Sequence, residues 1–252
     1  MELFISDLHL HESRPEISQL FFEFIAGPAQ GAQQLTILGD LFEYWAGDDD
    51  ITTPLHARVS TALKSLSRQG IELRFLAGNR DFLIGDGFSA ATGAALLPET
   101  LTSSVAGTPT LLLHGDTLCT DDIEYQRYRL QVRNAAFITE FLQRPLAERK
   151  AYIENLRERS KSEKGRKSMD IMDVNDGAVR EAFRSAGVTR MIHGHTHRLA
   201  THHYDIDGKA CERWVLGDWG ATGNFLECRA TGWHLCEWDG KNARVIASPK
   251  NS

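Results

Sequence analysis

The chain of 252 residues has little of what staples, repeats or embeds a protein. Its four cysteines, Cys119, Cys211, Cys228 and Cys236, include no C-x-x-C pair. That excludes a thiolate zinc ribbon and a dense disulfide framework, so the thiols read as unpaired in a reducing compartment. No apolar stretch approaches the roughly 20 residues that span a bilayer. An apolar strand beginning at residue 3 leaves no room ahead of it for a signal peptide. Internal repeats and low-complexity tracts are absent. With 42% hydrophobic and 25% charged residues, the chain can bury a sizeable core, and one α/β domain over residues 1–252 carrying an insertion is expected.

What the sequence does contain is five short groups of polar residues, each placed after an apolar run. The groups are Asp7-Leu8-His9, Gly39-Asp40, Gly78-Asn79-Arg80-Asp81, His114-Gly115-Asp116 and Gly194-His195-Thr196-His197. The runs before them, Leu3–Ile5, Leu35–Leu38, Leu73–Ala77, Leu111–Leu113 and Met191–Ile192, read as buried parallel strands. Polar groups just past strand ends sit where open α/β sheets place ligand sites, at the carboxyl edge.

Asp7, His9, Asp40, Asn79, His114, His195 and His197 supply two carboxylates, one amide oxygen and four imidazoles, more than one ion can use. If Asp40 bridges, they divide into two sites of four: Asp7, His9, His197 and Asp40 on one ion, Asn79, His114, His195 and Asp40 on the other. Two divalent ions about 3.5 to 4 Å apart can share and acidify one water, and can clamp both oxygens of an in-line phosphoryl displacement. A donor set of nitrogen and oxygen without thiolate suits Mn, Fe or Zn, and its oxygen share favours Mn2+.

The ordered series D-x-H, G-D, G-N-x-D, H, G-H-x-H resembles the calcineurin-like metallophosphoesterases over Asp7 to His197. One position departs: Arg80 stands where most members carry a histidine that protonates a leaving alkoxide. A guanidinium does not give up its proton. A phosphate-ester leaving group needs none, phosphate having a second pKa of about 6, and a planar fork can bind phosphoryl oxygens in pairs. A diphosphate is therefore favoured over a simple alkyl phosphate ester.

Wider stretches narrow the resemblance: Ile37–Glu43 with Trp45, Gly47–Asp50, Gly78–Leu83, His114–Asp122, Ile171–Asn175 and Ile192–Arg198 all look like the bacterial UDP-2,3-diacylglucosamine diphosphatases. That likeness implies a four-layered α/β/β/α sandwich with a helical lid inserted at residues 122–187. It also implies cleavage of UDP-2,3-diacylglucosamine by water attack at the α-phosphorus, giving UMP and 2,3-diacylglucosamine 1-phosphate in lipid A biosynthesis. By match of position Asp40, Asn79, Arg80 and His195 serve catalysis, and Asn79, Arg80, Asp122, Ser160, Lys167 and His195 contact the headgroup. Lys164 falls at a further contact position where relatives carry a small polar residue. The implied location is cytoplasmic, peripheral to the inner membrane, with a monomer as the expected state.

Between the fourth and fifth groups, residues 123–168 hold twelve Lys/Arg against six Asp/Glu, in a chain whose net charge is -6. Tyr125, Tyr128, Phe137, Phe141, Leu142, Leu146, Tyr152, Ile153 and Leu156 recur at helical intervals, with Pro145 as a breaker. Basic helices with aromatic faces can rest on an anionic membrane or enclose an amphipathic ligand; otherwise the segment is a solvated helical hairpin with a buried stripe. After His197 the sequence alternates around turns at Asp207-Gly208, Gly220–Gly223 and Asp239-Gly240, which reads as antiparallel strands forming a second sheet on the first. His11, His56, His193, His202, His203 and His234 read as structural, with His193 placed to orient a ligand. A metal-free scaffold that binds proteins is the rival reading, against which the complete ligand set argues. A nuclease of the same superfamily is another. Such enzymes retain the histidine that Arg80 replaces, so no nucleic-acid partner is expected.

Overall fold

The apolar runs become strands because both of their faces are covered. The computed structural model of the chain describes residues 1–164 and 173–247. In chain order its elements are β1 (Glu2–Ile5), α1 (Pro15–Ala26), β2 (Gln34–Ile37), α2 (Pro54–Arg68), β3 (Glu72–Leu76), α3 (Asp86–Thr92), β4 (Ala95–Leu97), β5 (Thr100–Val105) and β6 (Thr108–Leu113). Then come α4 (Ile123–Val132), α5 (Ala135–Leu142), α6 (Leu146–Lys164), α7 (Asp176–Ala186), β7 (Arg190–His193), β8 (Ala200–Ile206), β9 (Lys209–Val215), β10 (Gly223–Arg229), β11 (Gly232–Trp238) and β12 (Ala243–Ala247). No described helix is long and apolar enough to cross a membrane.

Two sheets form, in the orders β12-β11-β10-β1-β2-β3-β4 and β5-β6-β7-β9-β8. Strand residues alternate between two faces, and the alternation divides the core into three seams. Leu3 and Ile5 face α1–α3 with Leu35, Ile37, Leu73 and Phe75. Phe4, Leu38 and Leu76 point the other way and meet Leu112, Ile192 and Trp214 of the second sheet. Leu111, Leu113 and Met191, on that sheet's far face, pack on Val179 and Phe183 of α7. Helix, sheet, sheet and helix are the four layers expected. Helices α1 and α2 each carry proline at the start, where its missing N–H costs no hydrogen bond.

One expectation is corrected. The strands after His197 do not make the second sheet by themselves. β9 pairs in parallel with β7, whereas β10 pairs antiparallel with β1 and carries β11 and β12 onto the first sheet. The second sheet also recruits β6 and β7, two of the five strands that bear site residues. Alternation reveals which side chains face a core, but not which strand edge a chain returns to. The segment 122–187 is also not uniform. Helices α4–α6 lie over the site, while α7 is a scaffold helix because Val179 and Phe183 are completely buried against the second sheet.

Candidate metal centre

All five polar groups begin within two residues of a strand's carboxyl end, and the two sheets bring those ends together. The loops close on each other through the backbone: Asp7 N–H donates to Gly39 O at 3.1 Å, His9 N–H to Asp40 O at 3.0 Å and Gly194 N–H to His114 O at 2.8 Å. Of the seven non-glycine residues with positive φ among those described, five are Asp7, His9, Asp40, His195 and His197, at 49° to 67°. Left-handed backbone at such residues costs on the order of 1–3 kcal/mol each and persists only where the surroundings over-determine it. Here it turns Asp7 with His9, and His195 with His197, toward one place. The glycines are needed for close approach: a Cβ on Gly78 would overlap Asp40 Oδ1, and one on Gly194 would overlap Asp7 Oδ2.

Two groups of donor atoms result. In one, Asp7 Oδ1 lies 3.4 Å from His197 Nε2 and 3.9 Å from His9 Nε2, and those nitrogens are 3.2 Å apart. In the other, Asn79 Oδ1 lies 3.0 Å from His114 Nε2 and 2.9 Å from His195 Nδ1, with the two rings' nitrogens 3.2 Å apart. Asp40 stands between them, Oδ1 3.6 Å from His114 Nε2 and Oδ2 3.9 Å from His9 Nε2. All seven sequence-derived donors are therefore brought together, in the division a bridging Asp40 requires. A cation fits this set on a further ground. Asp7 Oδ1 is buried without a hydrogen-bond donor, an arrangement that is costly unless a positive charge supplies the missing partner.

The electrostatics divide the four imidazoles: burial is outweighed by neighbouring carboxylates at His114 and His197, which are raised above the ordinary value, while the other two are lowered. Burial lowers His9 to about 4, and burial together with His114 lowers His195 to about 3, leaving both imidazoles neutral with lone pairs available near neutral pH. Asp7 is held below the usual carboxylate range: burial opposes ionisation, but His197, 3.4 Å away, and His114 outweigh it. A second layer fixes the rings. His114 Nδ1 donates to Leu38 O at 2.8 Å, which turns its Nε2 lone pair to the site. Arg213 Nη1 lies 3.0 Å from His193 Nε2, and because guanidinium only donates, the His193 hydrogen sits on Nδ1 and bonds Gly194 O at 2.8 Å. His193 thereby holds the loop bearing His195 and His197, touching no reacting position itself.

Several contributors were not assigned from sequence. Asp81 accepts from the backbone N–H groups of Gly78, Asp40 and Leu41 at 2.8, 3.2 and 2.8 Å, tying two ligand loops together. Asp116 accepts from Tyr125 Oη at 2.9 Å and Arg129 Nε at 2.7 Å, which sets the Tyr125 ring 5.9 Å from that of His195. Both carboxylates stood inside the quoted motifs, yet spacing alone does not separate a ligand from a loop clamp. Asp218, 3.6 Å from His197 Nδ1, lies in a loop with no periodic signal.

Of the headgroup candidates, Asn79, Arg80, Asp122 and His195 line a cavity of about 540 Å³ that opens from the donor cluster. Asp122 also caps α4, accepting from Tyr125 N at 3.0 Å. Lys167 lies outside the described residues, as do the side chains of Ser160 and Lys164 on α6. Away from the cluster the cavity is lined by Trp45 and Phe82 of the body and by Tyr128, Val132, Phe137, Tyr152 and Leu156 of α4–α6.

The comparisons agree with this geometry. The model of the calcineurin-like phosphoesterase family matches residues 3–199. A UDP-2,3-diacylglucosamine hydrolase of Aromatoleum aromaticum is 50% identical over 243 residues, covering 96% of this chain and 95% of that protein. One of Edwardsiella ictaluri is 46% identical over 236 residues, covering 93% and 91%. The chain therefore belongs to the calcineurin-like phosphoesterases, as a metal-dependent hydrolase of the UDP-2,3-diacylglucosamine hydrolase family.

Proposed function

We propose that the chain hydrolyses the diphosphate of UDP-2,3-diacylglucosamine by water attack at the α-phosphorus, releasing UMP and 2,3-diacylglucosamine 1-phosphate, a step toward lipid A. The observation that carries this reading is one cavity shared by a donor cluster with Arg80 and by an aromatic and aliphatic wall. A charged head joined to two acyl chains has that polarity. Two divalent ions, Mn2+ foremost, would be held by Asp7, His9, His197 and Asp40 and by Asn79, His114, His195 and Asp40, and would supply Lewis acidity and an activated water.

The chain's own groups do the rest. Arg80 carries a permanent charge into the cavity and supplies paired donors for phosphoryl oxygens without acting as an acid. Its backbone N–H bonds Asp40 Oδ1 at 2.8 Å, so the fork is set from the same loop that positions the bridging carboxylate. Asn79 and His195 share the cluster and the cavity; Asp122, Ser160, Lys164 and Lys167 complete the proposed headgroup contacts. In this reading the enzyme works as a monomer at the cytoplasmic face of the inner membrane. Support for that location comes from Ile123, Leu130, Tyr128 and Leu142, exposed on α4 and α5 within the basic segment.

The test is release of UMP from UDP-2,3-diacylglucosamine by metal-stripped protein with and without added Mn2+. Mn2+-dependent UMP is expected. Release of UDP, or activity unaffected by chelation, overturns the reading.

A further inference from the structure

Glu43 lies three residues beyond Asp40, lining the cavity with its side chain 15% exposed. Each of its carboxylate oxygens faces a different part of the molecule. Oε1 accepts from Arg157 Nη2 at 2.6 Å and lies 3.8 Å from Arg80 Nη1. Oε2 lies 3.5 Å from His9 Nδ1 and 3.8 Å from Arg14 Nη2. Arg157 belongs to α6, Arg80 follows β3 and His9 follows β1. One carboxylate thus touches the helices over the cavity, the proposed phosphoryl fork and a metal-ligand candidate.

We propose that Glu43 is a positioning residue that couples α6 to the metal cluster, holding Arg80 and Arg157 side by side for a phosphoryl group and fixing the ring of His9. This rests on the metal-dependent diphosphatase reading above. Two guanidiniums near each other repel and disperse into solvent unless an anion is shared between them. With Oε1 as that anion, each planar fork keeps other N–H donors available to phosphoryl oxygens. The same carboxylate stands 3.5 Å from Nδ1 of His9, a buried nitrogen with no hydrogen-bond partner among the described residues. The ring's Nδ1 faces Oε2, while its Nε2 faces the cluster, 3.2 Å from His197 Nε2 and 3.9 Å from Asp40 Oδ2. A carboxylate on Nδ1 favours the tautomer with the hydrogen there and the lone pair on Nε2, the arrangement that a metal-binding histidine needs.

Mn2+ titration of metal-stripped protein and steady-state UMP release separate this role from a plain lid tether. Glu43→Ala is expected to weaken Mn2+ binding by roughly tenfold, in the range seen when the partner of a metal-ligating histidine is removed. Glu43→Gln retains an amide oxygen for His9 Nδ1 and should bind Mn2+ within about threefold of wild type. Having lost the charge that gathers Arg80 and Arg157, it should still show a raised KM. Arg157→Ala should raise KM and leave Mn2+ binding unchanged. In the double variant Glu43→Ala/Arg157→Ala the losses in kcat/KM should fall well short of multiplying, as for residues that act as a unit. Wild-type Mn2+ affinity in Glu43→Ala at an unchanged thermal midpoint overturns the proposal, and so do multiplicative losses. Should Glu43→Ala not fold, a Glu43→Gln enzyme with wild-type KM overturns it. A wild-type enzyme that releases no UMP defeats the diphosphatase reading instead, and the Mn2+ titration still tests Glu43 and His9.

Discussion

The two-sheet body and the helices α4–α6 hold their residues in contrasting ways. In the body Asp7, Asp40 and His114 are at most 2% exposed, and their loops are locked by backbone hydrogen bonds between neighbouring strand ends. Strained left-handed residues survive there because packed sheets give them no alternative. The helices over the cavity are attached largely by charged side chains. Arg149 reaches Asp49 and the carbonyl of Ala46, Lys150 lies 2.5 Å from Asp50, and Arg157 bonds Glu43. Phe141 is an apolar attachment, buried in the body's first seam with Phe137, Ile138 and Ile153 packed against it. Backbone-fixed donors cannot shift without unfolding, whereas an ion pair beside a cavity can exchange partners with a phosphate. On the proposed reading, the difference assigns the chemistry to the body and substrate selection to the charged and aromatic side chains of α4–α6.

The sharpest way to break this division is to remove Asp40. Asp40→Ala takes away the carboxylate that stands between the two donor groups, and turnover should fall by roughly 10³ or more, as for loss of a principal charge-stabilising group. Metal content should fall with it. The fold should survive, because Asp81 still ties the β2 and β3 loops together through the N–H groups of Gly78, Asp40 and Leu41 when the bond from Arg80 N–H to Asp40 is lost. A purified, folded variant with two bound ions and near wild-type activity would remove Asp40 from the centre of the scheme.

Next in size is Arg80, which stands at the boundary between body and cavity. Loss of a preorganised donor costs about 10² to 10³ in rate. On the proposed diphosphatase reading, Arg80→His, which introduces an imidazole acid, should not restore turnover, because a phosphate-ester leaving group needs no proton. Steady-state rates on UDP-2,3-diacylglucosamine decide the matter. An Arg80→His enzyme as fast as wild type would mean that the leaving group is protonated after all.

The same division explains what was legible in the sequence. Leu3, Phe4 and Ile5 are all buried because the strand is covered on both sides, so a continuous apolar run ending at Asp7 marked strand and site together. Seven donors could be named because each followed such a run. The distribution of strands between sheets was not legible: Trp214 and Leu226 face the same inter-sheet seam although β9 and β10 lie in different sheets. Clamps such as Asp81 were missed as such, since a carboxylate that accepts backbone N–H groups looks in sequence like any other, and Asp218, beside the His197 ring, stands in a loop with no periodic signal. In α4–α6 the aromatic spacing revealed helices but not their partners. Tyr125 reads as one more apolar contact, yet its hydroxyl is committed to Asp116 and its ring to His195. Phe141 likewise proves to be a core residue as well as a cavity wall.

The smallest expected effect separates those two roles within the lid. Phe141 is 3% exposed and stacks on Phe137 at 5.8 Å, whereas Tyr128 lines the same cavity and is 40% exposed. Phe141→Ala should therefore cost about 3–5 kcal/mol of stability, as for a truncated core aromatic, and should confuse packing with substrate recognition. Tyr128→Ala should change stability by no more than about 0.5 kcal/mol. If Tyr128 packs against an acyl chain, a contact worth about 1.5–3 kcal/mol, its loss should lower kcat/KM for the diacylated UDP-sugar by roughly ten- to a hundredfold. Hydrolysis of a nitrophenyl phosphodiester, which has no acyl chains to place, should be nearly unaffected. Equal losses on both substrates in a folded Tyr128→Ala enzyme with normal metal content would show that α4 supports the body and does not select the lipid.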